Sequence, residues 1–213
     1  MINNRTDISI VTVNGKTPQI HDSAFIAPGC RIIGDVTIGP EASIWYNCVI
    51  RAEVNRVVIG ARTNIQDGSV VHCDGPMPGV EDGFPTIIGD DALVGHNVML
   101  HGCILHDRAF VGLSSTVMNG AVIESDAMLA AGAMLTQGKR IAARQLWAGS
   151  PARFVRDLDD AAVMGMRIGV AHYVTNAKLH AAATASTKNF ALTVKRALIG
   201  APVEMLLLLC ASE

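Results

Sequence analysis

Residues 24–50 read AFIAPGCRIIGDVTIGPEASIWYNCVI, and within them an isoleucine returns every sixth position: Ile26, Ile32, Ile38, Ile44 and Ile50. Two places ahead of each stands a small residue or valine: Ala24, Cys30, Val36, Ala42 and Cys48. The same phase continues in Ile59, Ile65 and Val71, preceded by Val57, Thr63 and Ser69, and then in Ile88, Val94 and Leu100. After a slip of one residue it resumes as Leu105, Val111, Val117, Ile123, Leu129 and Leu135, with Cys103, Ala109, Ser115, Ala121, Ala127 and Ala133 ahead. Period-two alternation inside a six-residue unit describes one short strand whose aliphatic and small side chains point inward. One such unit cannot bury its own core. Stacking does, so the repeat predicts a mainly β protein, a left-handed parallel β-helix with three hexads to each triangular coil.

Two insertions interrupt the rhythm, a short one within Glu53 to Arg56 and a longer one, CDGPMPGVEDGFP, from Cys73 to Pro85. The second is rich in Gly, Pro and acid and reads as an excursion loop. Beyond Leu135 the repeat fades, and DLDDAAVMGMRIGVAHYVTNAKLHAAA carries acids at its start and apolar residues at helical spacing. That pattern predicts one C-terminal α-helix from about Asp157 to about Ala183. The expected organisation is therefore a β-helix over 1–156, a helix over 157–185 and a tail of unassigned role over 186–213.

The composition agrees with a repeat: half the chain is hydrophobic, yet only 4% is aromatic and 17% charged, so aliphatic residues must fill the core. A formal net charge of −2 without a Lys/Arg block argues against nucleic acid or an anionic membrane surface as partner. The N-terminal MINNRTDISIVTVNG has no positively charged start followed by an apolar stretch, so no secretory signal is expected and the default location is cytoplasmic. Met205 to Cys210 is apolar but too short to cross a bilayer. The five cysteines, Cys30, Cys48, Cys73, Cys103 and Cys210, form no CxxC and read as small buried residues.

The repeat also places histidines. His72 follows Val71 and His101 follows Leu100, so both take the same outward slot; if the Cys73–Pro85 insertion replaces a single turn, His101 lies one coil above His72. Parallel strands stack about 4.8 Å apart, close enough for two imidazoles to share a metal. His96, two places after Val94, belongs beside a different face, so a third ligand from this residue requires a symmetric trimer that packs one column against another. By the same counting Arg51 lies below His72 and Asp67 lies below His96, and in a trimer these two charges would meet across the interface.

IRAEVNRVVIGARTNIQDGSVVH followed by GHNVMLHGC resembles the γ-class carbonic anhydrases and related hexapeptide proteins, over roughly residues 15–175. The Ile20–Arg51 segment and WAGSPARFVR are similar to the subgroup of phenylacetic acid degradation and carnitine-operon proteins. The resemblance implies a homotrimer in which His72, His96 and His101 bind zinc, or iron or cobalt, with His96 supplied by the adjacent subunit. It further implies that Asn64 and Gln66 orient metal-bound water, that Arg51 and Asp67 pair near the substrate, that Glu53 is a family acid and that Tyr173 approaches the site. The activity it implies is hydration of carbon dioxide to bicarbonate by metal-bound hydroxide. The sequence departs from the pattern at Val54, where the archetype carries a second acid, and no acidic loop is equivalent, although Asp74, Glu81 and Asp82 lie in the insertion. His172 offers a further proton shuttle, with ordinary packing as the alternative.

Rival readings share the fold. They are a metal-dependent acyl-CoA thioesterase of the phenylacetate type, a CoA-dependent acyltransferase using one His as base, and a trimeric scaffold without turnover. Structural roles are also open for an Arg51–Asp67 pair, for Asn64 in a turn and for Gln66 as a solvated edge residue.

Overall fold

The computed structural model describes the backbone of residues 7–199, and side chains for residues 7–185. The chain winds into a parallel β-helix with three faces. The first face stacks Phe25–Ile26, Ser43–Ile44, Asn64–Ile65, Leu93–Val94, Phe110–Val111, Met128–Leu129 and Gln145–Gly149. The second stacks Ser9–Val11, the starts of the long strands Arg31–Ile38 and Val49–Ile59, then Val70–His72, Met99–His101, Thr116–Val117 and Met134–Leu135. The third takes Gln19–Ile20, the ends of the same long strands, then Thr86–Ile88, Ile104–Leu105, Val122–Ile123 and Arg140–Ile141.

Hexad phase and strand register coincide. Ile26, Ile44, Ile65, Val94, Val111 and Leu129 pair in one continuous column. The aliphatic positions Ile32, Ile38, Ile44, Ile50, Ile59, Ile65, Ile88, Leu100, Leu105, Ile123, Leu129 and Leu135 are fully buried, and so are the small positions between them, including Cys30, Cys48, Cys103 and Ala109. Cys30, Cys48, Cys73 and Cys103 are free thiols in this core, as their spacing suggests; Cys210 and the 205–210 run lie outside the described residues. Among the described residues no helix is long and apolar enough to cross a membrane.

Both insertions leave the stack intact. Gly34 pairs with Ala52 and Val36 with Val57, so Glu53–Arg56 bulges out at a corner. The Cys73–Pro85 excursion is closed by antiparallel bridges, Asp74 to Phe84 and Met77 to Val80, and the third face resumes at Thr86 opposite Val57. It therefore does replace a single turn.

One corner carries alternating charge. Glu41, Arg62, Asp91, Arg108, Asp126 and Arg144 all sit at left-handed φ between 54° and 62°. Arg62 forks onto Asp91 with two bonds of 2.7 Å, and Arg108 grips Asp126 at 3.1 Å. Arg167, on the helix, reaches the same Asp126 at 3.2 Å. Together with packing of Leu158, Val163 and Met166 against Phe110 and Met128, this fixes the start of the helix over the first face.

That helix spans Asp160–Ile199, which differs at both ends from the expected Asp157–Ala183. Residues up to Asp157 remain in the strand Ala152–Asp157, which turns back antiparallel on Gln145–Gly149. Asp159 then caps the helix by accepting from the Ala162 N–H at 2.8 Å. At the other end nothing in the sequence breaks the helix until Gly200 and Pro202. The chain divides into two compact units after Ala177, so the first holds the β-helix with the early helix and the second begins at Lys178.

Candidate metal centre

The residues singled out from the sequence sort into two groups on different faces. His72 and His101 are register partners on adjacent coils of the second face, as the counting required. Their rings meet edge-on with centroids 5.0 Å apart, and His72 Nδ1 stands 3.0 Å from His101 Nε2. Arg51 and Glu53 belong to the same group. Arg51 forms an ion pair with Glu53, and Glu53 Oε2 lies 3.3 Å from His72 Nε2. Val54, beside them, is exposed and takes no part.

The hydrogen bonds fix where the imidazole protons are. Asn119 Nδ2 donates to Asp74 Oδ2 at 2.6 Å, and a carboxylate only accepts, so the Asn119 oxygen is the atom facing His101 Nδ1 at 2.7 Å. His101 must then carry its proton on Nδ1. By the same logic His72 donates from Nε2 to the Glu53 carboxylate. What remains is a pair of lone pairs, on His72 Nδ1 and His101 Nε2, aimed at each other across 3.0 Å. Such a pair repels unless a cation lies between. Tetrahedral zinc with bonds of about 2.0–2.1 Å would set two nitrogens about 3.3 Å apart, close to the spacing found. The donor set fits a divalent metal.

His72 is also held neutral. Burial lowers its pKa, the Arg51 charge adds to this and so does the neighbouring His101, with Asp74 opposing. Its backbone is pinned by Thr86 Oγ1, which donates to the His72 carbonyl at 2.5 Å.

The second group sits on the first face. Asp67 lies below His96, as expected, and their side chains meet at 2.7 Å between Oδ2 and Nδ1. Asn64 and Gln66 are both buried, Asn64 within a strand. Asn64 donates to the Ala92 carbonyl at 3.3 Å and Gln66 Nε2 donates to Asn64 Oδ1 at 3.0 Å. This overturns the alternatives in which Asn64 serves a turn and Gln66 is a solvated edge residue: the early helix and Trp45 wall this face. Tyr173 joins the group by packing edge-on against Trp45, centroids 5.3 Å apart. Burial raises its pKa, with the Asp67 carboxylate contributing. His172 is exposed, bonds Asn176 at 2.9 Å and packs edge-on against Tyr173, with ring centroids 6.2 Å apart.

Among the described residues no three His, Cys, Asp or Glu side chains converge within one chain. One chain thus presents two imidazoles on one face and the third on another. Within the chain Arg51 is engaged by Glu53 and Asp67 by His96 rather than by each other. Asn119 was not anticipated from the sequence. Its signal was its place two residues after Val117, the coil position directly above Gly102 and next to His101.

Comparison with known proteins gives the following. Residues 17–52 match the family model "Bacterial transferase hexapeptide (six repeats)", and residues 85–109 and 102–137 match "Hexapeptide repeat of succinyl-transferase". Gamma carbonic anhydrase 1, mitochondrial, of Arabidopsis thaliana is 42% identical over 182 residues, which is 85% of this chain and 66% of that protein. The chain thus spans about two thirds of the plant protein's length. Carnitine operon protein CaiE of Escherichia coli is 34% identical over 168 residues, covering 78% of this chain and 81% of CaiE. The crystal structure of a hexapeptide transferase family protein from Anaplasma phagocytophilum superposes with a TM-score of 0.74 at 40% identity, over 80% of this chain and 96% of that one.

Proposed function

Because the chain belongs to the hexapeptide-repeat family that includes the γ carbonic anhydrases and CaiE, we propose that it is a metal-dependent enzyme that hydrates carbon dioxide at sites shared between subunits of a homotrimer. The observation that carries the reading is the opposed lone pairs of His72 and His101, 3.0 Å apart, which call for a cation between them. His96 completes the ligand set from a neighbouring subunit, where its column can be laid against this one. A divalent metal so held supplies the acidification of water and the Lewis acidity that the reaction needs at neutral pH. Zinc fits the three imidazoles, and iron or cobalt accepts the same donors.

The chain's own residues account for the rest. Hydration joins a water oxygen to carbon and releases one proton. That proton leaves to solvent, while Glu53 accepts from His72 Nε2, on the edge of the ring away from the Nδ1 that faces the metal, and fixes its tautomer. Arg51 beside it favours the anionic product. Gln66, oriented by Asn64, offers an amide to hold the reacting oxygen, and Tyr173 with Trp45 closes that wall to water. On assembly Arg51 would face Asp67 of the neighbour, which ties the trimer together at the substrate. The substrate is a small molecule, and a cytoplasmic location belongs to the same proposal.

Acyl transfer is the second reading, favoured by the transferase named for the similar Anaplasma structure. It needs a single His base and leaves the opposed imidazoles without a role; thioester hydrolysis would use the same metal as hydration. Metal content of anaerobically purified protein, with hydration, thioester and acetyl-CoA transfer assays on one sample, separates these. We expect zinc or iron with hydration activity, both lost in His72→Ala. Metal-free protein with CoA-dependent activity would reject the proposal, and metal with no turnover would point to a scaffold.

A further inference from the structure

We propose that Asn119 and Asp74 are positioning residues for the metal: they hold His101 in the tautomer that can bind it, and the strand register that seats Asn119 over Gly102 puts it there. The inference rests on the metal reading above and adds to it residues outside the ligand set.

The register shows how Asn119 arrives. Leu100 pairs with Val117, and Ile104 pairs with Val122. Five steps separate Leu100 from Leu105 while six separate Val117 from Ile123, so the upper corner has one residue without a counterpart below. Gly120 N–H donates to the Gly102 carbonyl at 2.7 Å, with the same one-residue offset by which Gly68 N–H bonds the Tyr46 carbonyl, so Asn119 is the residue over Gly102. The unmatched residue is therefore Gly120, and Asn119 sits directly above Gly102 with its side chain dropping onto the coil beneath. It lands on His101 Nδ1 at 2.7 Å. Gly102, at φ +57°, leaves the space: a Cβ there would collide with Asn119 Oδ1.

The orientation of Asn119 is itself imposed. Asp74 Oδ2 takes the Asn119 amide N–H at 2.6 Å, which turns the amide oxygen toward His101. Asp74 is no loose loop residue. Its N–H and carbonyl exchange hydrogen bonds with Phe84 at 2.9 and 2.8 Å, and its carbonyl also accepts from Asn55 Nδ2 at 2.8 Å. The Cys73–Pro85 excursion thus acts as a brace that reaches the His101 ring through Asn119. With the proton kept on Nδ1, the lone pair of His101 Nε2 is aimed at His72 before any ion arrives.

The test uses the full-length protein in its native assembly. In the metal-free wild type, long-range 15N–1H NMR should find His101 protonated on Nδ1; in Asn119→Leu it should find a mixture of tautomers. Competition titration with zinc should show affinity falling roughly 10–100-fold in Asn119→Leu. Exchanging the two groups, Asn119→Asp with Asp74→Asn, keeps an acceptor over His101 and a donor beside it, and should recover the affinity. A purely structural role would lower thermal stability while leaving the tautomer and zinc affinity unchanged, which would overturn the proposal. So would a wild-type His101 protonated on Nε2. Wild-type protein that binds no zinc would overturn both this and the metal reading, whereas equal binding by wild type and Asn119→Leu would overturn this one alone.

Discussion

His72 resists protonation because burial, the Arg51 guanidinium and His101 all disfavour a second positive charge. Its folded pKa lies below the unfolded value of about 6.5, so the unfolded chain binds the proton more readily. The metal-free protein should therefore keep its full stability above that pH and lose it as pH falls through about 6.5 toward the folded value. Urea titrations across that range should show the slope, and His72→Gln should flatten it. An unchanged slope in the variant would mean that the acid sensitivity comes from elsewhere. Zinc affinity should fall over the same window, since each imidazole must be neutral to bind. The stacking of His101 over His72 was legible because a fixed six-residue phase converts sequence distance into spatial position. Their protonation was not, because it depends on Asn119 and Glu53, whose reach across a corner follows from no periodicity.

Each coil is hydrogen-bonded chiefly to its neighbours, so damage to one is felt at the site it carries. Ile65 is wholly buried between Asn64 and Gln66, and Ile65→Ala should cost about 2–5 kcal/mol in chemical denaturation. The loss should also loosen the two amides that line the first face, lowering turnover more than zinc affinity. For the helix, Asp159→Ala removes the cap over Ala162 and should cost about 0.5–2 kcal/mol. The repeat foretold which strands pair and that both insertions bulge outward, since hexads either side of each kept their phase. The helix ends were misjudged for physical reasons. Strand Ala152–Asp157 holds its residues by antiparallel pairing, a long-range contact that local acidity does not reveal. At the other end the helix runs past Ala183 to Ile199, where fading apolar spacing gave no sign of it.

In the proposed trimer, a centre split between columns would make each subunit half of two sites. Two inactive proteins, His72→Ala and His96→Ala, should then complement when co-expressed. In a threefold ring of mixed subunits one junction joins an intact His72 to an intact His96, so random mixing should restore about a quarter of the wild-type sites. Recovery of nothing, with mixed trimers verified by mass spectrometry, would place all three imidazoles in one chain. The same stacking that builds the sites also poses a hazard, because parallel rungs offer their last edge to any other chain. Here the first face closes with a strand laid the opposite way, Ala152–Asp157, while the other two finish in two-residue strands beside Lys139 and Arg140. The molecule is in this sense a self-terminating polymer: growth by accretion, which would string copies into fibres, stops where the chain reverses direction.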